Sequence, residues 1–486
     1  MLLTDELLLH YKRCPRRTFL NVYGHKREKE PEKDFLLKLR QESHNHTQAI
    51  LGQYYPVYHQ PQASEEDWEA LSRETEALMR QGVDCIYHGK LHHASTDKID
   101  FLASPTLLVK QAIPSRWGNW SYFPVSIQLG RRPKPEYKII AGFNTYILAY
   151  IQGATPPYAE IILRGKNTYR VNLNLWIPLT QEVVEECLQM LRAKQEPEVF
   201  ISRQRCSLCQ WYGYCYAIAK SQQHLSLVPG ITTSRYESLQ KMGISSLQSL
   251  SNVAPERLDT LIELDIGLNL QQQAKSIVEN IPILKSHNVP SIPSAPIELY
   301  FDIEAEPERN LDYLLGILLI DRTNNQQKYY TFLAKTPTEE QNIWLQFLNF
   351  VSIYTEYPIF HYSAYEVETI KRLGQLYHTP PPQIDALLSR LVDLHHQVLT
   401  SVILPIENYS LKSIAQWLGF NWRDPFSGQP LLNGTILTGD QCVCWYDRWL
   451  KTGDRTWLNC ILRYNEDDCK ATYYLKDWLV NYFNSH

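Results

Sequence analysis

The stretch Leu299-Tyr300-Phe301-Asp302-Ile303-Glu304 constrains the chain more than any other. Four of its six residues are apolar or aromatic, and Pro-Ser-Ile-Pro-Ser-Ala-Pro precedes it. It therefore reads as a buried strand that follows a breaker-rich segment. Asp302 and Glu304 stand two residues apart, and a strand's period of two puts both on one face. Two anions on one face of a buried strand are costly unless a cation shares the site. The pattern predicts either a metal site or a pair of solvated acids at the strand's end. Residues further along decide between them.

A chain of 486 residues is long enough for two or three domains with full cores. Its composition is that of a soluble globular protein, rich in aromatics (31 Tyr, 12 Trp). No apolar run approaches the length of a membrane span, and MLLTDELLLHYKRCPRR lacks a signal layout, so a cytoplasmic location is expected. A net charge of −4 gives no general attraction to nucleic acid, so any such site must be a local basic surface. Ten cysteines in a chain this long do not imply a disulfide framework, and clustered ones suggest metal binding.

Residues 1–220 read as a mixed α/β domain. Helical spacing covers 2–11, 33–53, 67–79, 137–152 and 181–194, and strand patterns cover 85–87, 106–110, 122–127 and 159–163. The segment closes with Cys206, Cys209 and Cys215 in C-x2-C-x5-C spacing, and Cys14, before Pro15, is the fourth candidate. Three thiols among aromatics and a glycine can wrap one soft metal centre, iron–sulfur or a four-cysteine zinc. Either would staple the first helix to the end of the domain; buried free cysteines are the alternative. Cys85, Cys187, Cys442, Cys444, Cys460 and Cys469 show no ligand pattern and are expected as small core residues.

Cys14 in its Tyr-x2-Cys-Pro-Arg-Arg context, with the C-x2-C-x5-C tail, resembles the iron–sulfur nucleases of the RecB-like group, which includes CRISPR-associated and AddB-type members. The resemblance implies a restriction-endonuclease-like α/β core and a 4Fe-4S cluster on Cys14, Cys206, Cys209 and Cys215, with zinc as the alternative. It also implies an Asp ahead of one strand, an acid-x-Lys on the next and a helical His, the carboxylates holding Mg²⁺ and the lysine activating water. The sequence departs from that pattern. His46 or His44 can stand for the histidine, but Thr106 replaces the first acid, and Ser126 and Gln128 replace the acid and the lysine. Asp100 could supply an acid only in a shifted register. The domain is therefore expected to be catalytically degenerate. Its remaining role would be structural or nucleic-acid binding, through Arg131-Arg132-Pro133-Lys134 and Lys12, Arg13, Arg16 and Arg17.

Residues 225–283 resemble a helix–hairpin–helix, with Val228-Pro229-Gly230-Ile231 and Met242-Gly243-Ile244 as turns that could offer backbone N–H groups to a phosphate; a plain helical spacer is the alternative. Residues 284–297, with Pro290, Pro293 and Pro296, read as a linker.

Residues 298–486 are expected to fold as strands over 299–303, 314–321 and 328–333, a helix over 339–351, a strand over 358–361 and a helix over 364–376. They resemble the DEDD exonuclease superfamily, in the YprB-type branch often fused to RecB-like domains. The resemblance implies an RNase H-like mixed sheet. Asp302 and Glu304 match its first motif. Glu366, in Phe360-His361-Tyr362-Ser363-Ala364-Tyr365-Glu366, takes the Asp position of the second with one extra methylene, shifting the oxygen by about 1 Å or more. Tyr464-Asn465-Glu466-Asp467-Asp468 fits the third, and i to i+4 spacing puts Tyr464 and Asp468 on one helical face. Val392-Asp393-Leu394 and Tyr409-Ser410-Leu411-Lys412 resemble the intervening strand and helix, with Asp393 expected to be structural.

Four converging carboxylates cannot all stay ionised without cations. Two Mg²⁺ or Mn²⁺ ions about 3.5–4 Å apart would balance them. Asp302 and Glu304 would bridge, Asp468 would bind the first ion, Glu366 the second or its water, and Tyr464 would orient the attacking water. The expectation is an α/β multidomain, metal-dependent 3′–5′ exonuclease acting on DNA or RNA, with the iron–sulfur domain gripping the substrate. A non-catalytic nucleic-acid-binding scaffold is the alternative.

Overall fold

The computed structural model describes residues 1–95, 98–258, 264–286, 291–431 and 438–485. The chain is a mixed α/β multidomain protein that divides into two compact units, Met1–Ile218 and Ala219–His486. Among the described residues no helix is long and apolar enough to cross a membrane.

In the first unit a five-stranded sheet runs in the order Cys85–Tyr87, Leu107–Gln111, Ser121–Ile127, Ala159–Ile162, Thr168–Val171. Ser121–Ile127 and Ala159–Ile162 pair in parallel, which requires a crossover, and the helix Pro135–Gln152 supplies it. Phe143, Ile147 and Leu148 of that helix share a core with Tyr122 of the sheet and with Phe101. Phe101 belongs to a second sheet that the sequence expectation lacks: Leu2–Thr4, Asp100–Ala103 and Leu91–Ala94, in that order. Residues 2–4, expected to begin a helix, are its edge strand. The helix starts at Asp5, because Thr4 Oγ1 accepts the Leu7 N–H at 3.0 Å and caps it there. The helix expected from 181 instead spans Leu173–Ala193 and carries Pro178 inside it.

In the second unit the sheet order is Gln326–Leu333, Leu311–Asp321, Ile297–Glu306, Ile359–His361, Leu391–Asp393. The first three strands are antiparallel and the last two join in parallel. Ile297–Glu306 is thus the central strand, and its two faces meet different helices. Leu299, Phe301 and Ile303 enter the core with Trp344, Phe347 and Leu348 of the helix Glu340–Val351. Tyr300, on the other face, shares a core with Cys469, Leu475 and Leu479 of the long helix Arg455–Asn484. Asp302 and Glu304 follow Tyr300 on that face, beneath the helix that carries Tyr464 and Asp468.

The helices Thr233–Lys241, Leu247–Ser251, Pro255–Leu258 and Leu264–Glu279 belong to this second unit. Gln273, buried, donates to Leu404 O and accepts from Tyr409 OH, each at 2.7 Å. Ile283–Leu284 pairs antiparallel with Val402–Ile403. The expected linker therefore starts as a strand; residues 287–290 of it, and 259–263 of the helical segment, lie outside the described residues.

Candidate metal and catalytic site

Asp302 pairs with Gly316 across the central strands. A Cβ at position 316 would stand 1.7 Å from Asn465 Oδ1, so glycine is what admits the Asn465 side chain. Asn465 Nδ2 donates to Asp302 Oδ2 at 2.6 Å, and Tyr329 OH donates to Asn465 Oδ1 at 2.6 Å, which fixes the amide's orientation. The strand register shifts between Glu304 and Ala305, so regular pairing breaks beside the second acid. Asp468 Oδ1 accepts the Trp422 indole N–H at 2.6 Å. With these supports, ligand oxygens of Asp302, Glu304 and Asp468 all lie within 4.8 Å of one another.

Burial, with Asp468 and Glu304 alongside, holds the Asp302 carboxyl well above the usual carboxylate range. Burial and then Asp468 push Glu304 up to about 8. Burial also raises Asp468, opposed by the Lys412 ammonium. These acids are too close, and too dry, to be anionic together without added positive charge. Glu304 Oε1 is moreover buried without a hydrogen-bond partner. Closely spaced carboxylates with an orphaned oxygen fit hard divalent cations. Bound there, such ions would polarise a phosphodiester and generate the nucleophile. Tyr464 is 4% exposed, one helical turn before Asp468, and its hydroxyl accepts from Lys412 Nζ.

Glu366 lies outside the 4.8 Å group. It sits in the first turn of the helix Tyr365–Leu376, just after the strand Ile359–His361. Its Oε2 is 3.4 Å from His361 Nδ1; both atoms are buried and neither makes a hydrogen bond. Burial raises its carboxyl and His361 opposes the rise, while its charge still adds to that of Asp302. The helix is held by Tyr365 OH, donating to Asp312 Oδ1 at 2.7 Å, and by Arg372, which pairs with Asp312 and with Glu340. Asp393 accepts the N–H groups of His395 and His396, capping the helix Leu394–Ser401, and that of Ser363 at 3.0 Å. The other acids of the third motif point away: Asp467 and Glu466 both bind Arg423, and Glu466 also Lys470.

In the first unit Cys14, Cys206, Cys209 and Cys215 are half-buried, and burial and the neighbouring thiols together raise Cys14, Cys206 and Cys215, Cys206 to about 11. Cys14 Sγ accepts the Arg17 N–H and Cys206 Sγ the Ser202 N–H, each at 3.4 Å. Backbone N–H groups thus aim at two of the four sulfurs, and the only group of ligand atoms gathered within 4.8 Å among the described residues is that of Asp302, Glu304 and Asp468. Arg16 corrects one expectation: it is buried, pairs with Glu196 and reaches Cys215 rather than facing solvent. Thr106 Oγ1 accepts the Ile127 N–H at 3.1 Å, and Ser126 is buried. Gln128 donates its N–H to Ile162 O at 2.9 Å. Asp100 lies on the other sheet, its carboxylate 3.0 Å from His92 Nε2. His46 has a buried, unpartnered Nε2, and its pKa is lowered by burial and then by Arg164; His44 is exposed. The other six cysteines are buried.

Four residues of the site have no assigned role in the sequence reading. Asn465 lies inside the third motif and Lys412 ends the stretch Tyr409-Ser410-Leu411-Lys412 that precedes it, so both had a positional signal; Trp422 and Gly316 had none. Among curated proteins no match is found. A family model described as the RNase_H superfamily matches residues 299–480, a span that contains Asp302, Glu304, Glu366, Tyr464 and Asp468. The C-terminal part of the chain is thus an RNase H-like domain, which points to a nuclease acting on nucleic acid.

Proposed function

We propose that the chain is a metal-dependent exonuclease that removes nucleotides 3′ to 5′ from DNA, with its chemistry in the C-terminal domain. The observation that carries this is the convergence of Asp302, Glu304 and Asp468 within 4.8 Å. Asp302 and Glu304 would hold two divalent cations, with Asp468 serving the first and Glu366 the second or its water, and the cations would supply Lewis-acid activation of the phosphodiester. Tyr464 directs its hydroxyl at the attacking water. Glu366, whose Oε2 stands 3.4 Å from His361 Nδ1, would add its carboxylate from the first turn of the helix Tyr365–Leu376. The Cys14, Cys206, Cys209 and Cys215 set holds a 4Fe-4S cluster, and the first unit grips nucleic acid through exposed Lys12, Arg131, Arg132 and Lys134. That unit has no nuclease activity of its own, since Thr106, Ser126 and Gln128 replace the groups that would be needed.

Purified protein incubated with end-labelled single-stranded DNA and RNA tests the assignment. Turnover is expected with Mg²⁺ or Mn²⁺ and none with chelator, and Asp302→Asn is expected to lower the rate by more than about 100-fold. Equal turnover by wild type and variant would refute it. The contact between Glu366 and His361 favours a second reading, a non-catalytic nucleic-acid-binding protein, which predicts binding without metal-dependent turnover. Broad visible absorbance with stoichiometric iron supports the cluster, and colourless protein with one zinc rejects it.

A further inference from the structure

Lys412 takes no part in the reaction proposed above, yet it is built into the site. It lies in the first turn of the helix Leu411–Trp417, which Ser410 caps by accepting the Ser413 N–H at 3.2 Å. Ile414 and Ala415 seat that helix in the core. The turn before it is fixed by Tyr409, whose hydroxyl donates to Gln273 Oε1 at 2.7 Å and accepts the Leu404 N–H at 3.1 Å. From this anchored base the side chain reaches Tyr464, donating to its hydroxyl with Nζ 4.4 Å from the ring centroid.

Nearby basic side chains are otherwise committed. Arg423 binds Asp467 and Glu466, Lys470 binds Glu466, and Lys476 binds Glu298. Lys412 forms no ion pair among the described residues and faces the acid triad through Tyr464. A phenol oxygen that accepts from an ammonium must send its own proton away from that ammonium, and Asp468 lies one turn along the same helix.

We propose that Lys412 is a positioning residue of this site. Its ammonium fixes the direction of the Tyr464 O–H and serves as resident counter-charge to Asp302, Glu304 and Asp468 until divalent cations enter. The orienting role rests on the nuclease assignment; the counter-charge role does not. The two roles move different observables. A resident positive charge opposes entry of further cations, so its removal strengthens cation binding. Loss of a purely structural contact would loosen the acids and weaken binding.

Lys412→Met keeps the aliphatic stem and removes charge and donor, whereas Lys412→Arg keeps both. Mn²⁺ titration by calorimetry on the full chain, without nucleic acid, is expected to show Lys412→Met binding several-fold tighter than wild type and Lys412→Arg close to wild type. On end-labelled DNA, kcat of Lys412→Met is expected to fall roughly 10- to 100-fold with KM nearly unchanged, and Lys412→Arg to recover much of it. Weaker or unchanged Mn²⁺ affinity in Lys412→Met overturns the counter-charge role. Unchanged kcat overturns the orienting role. If wild type turns over no nucleic acid, the nuclease assignment and the orienting role fail together, and the order of Mn²⁺ affinities still decides the counter-charge role. Should Met at this position prevent folding, Lys412→Gln provides the same comparison with a polar head group.

Discussion

One absent Cβ governs how the first acid is held. Gly316 lies opposite Asp302 and leaves room for Asn465, whose amide donates to the Asp302 carboxylate. Gly316→Ala places a methyl where the amide oxygen is, so Asn465 must withdraw. A loss of about 1–3 kcal/mol in stability is expected from urea unfolding, together with weaker Mn²⁺ binding. Asn465→Ala keeps the strand intact, releases Asp302 and leaves the Tyr329 hydroxyl without its acceptor, which is expected to cost about 10- to 100-fold in metal affinity. The acids also set the sign of the pH dependence. Glu304 moves from its ordinary 4.5 to about 8, so the folded, metal-free protein holds this proton more tightly than the unfolded chain. Its contribution to stability is fully present below about 4.5 and is lost as pH rises toward about 8. Chelated protein should therefore melt at a lower temperature at pH 8 than at pH 5, and Mg²⁺ should raise the melting temperature more at pH 8. Scanning calorimetry at both values, with and without Mg²⁺, checks this; a larger Mg²⁺ effect at pH 5 would contradict it.

At the scale of elements, the helix that carries Glu366 depends on ionic anchoring. Arg372 compensates Asp312 and Glu340, both buried, while Tyr365 and Tyr377 donate to the same pair of acids. Arg372→Met leaves those anions without a cation and is expected to cost about 3 kcal/mol by urea unfolding, with Arg372→Lys intermediate. The strands of this domain were legible because Leu299–Ile303, Leu314–Asp321 and Lys328–Leu333 are mostly apolar or aromatic runs of strand length, as buried strands are. The three-stranded sheet of the first unit was not. Its strands have three or four residues each, and Leu2–Thr4 runs straight into helical spacing that only the Thr4 cap separates. Asp302, Glu304, Tyr464 and Asp468 stood out because each pair is local in sequence and its spacing has geometric meaning. Lys412 and Trp422 reach Tyr464 and Asp468 across 52 and 46 residues, and Asn465 reaches Asp302 across 163. Such contacts exist only once the helix Arg455–Asn484 lies on the sheet. Glu366 shows the converse: its place in the sequence motif is clear, and its side chain faces His361.

At the scale of the whole molecule, the two compact units carry separate candidate metal chemistries, four thiols in Met1–Ile218 and three clustered carboxylates in Ala219–His486. Their ligands differ in softness, so the two centres should respond to different perturbations. On the proposed cluster assignment, Cys209→Ser is expected to abolish visible absorbance and iron content while leaving Mn²⁺ affinity unchanged, as absorption spectroscopy and calorimetry on one sample would show. Asp302, Glu304 and Asp468 are proposed to form a hydrolytic metal site rather than a binding surface. The most direct measurement is the single-turnover rate of wild type and Asp302→Asn on a 5′-labelled single strand with Mn²⁺ and with chelator. A ladder of products shortened from the 3′ end, formed by wild type with Mn²⁺ alone, is the expected result. Strand binding with no products under either condition, or equal ladders from wild type and variant, would contradict it.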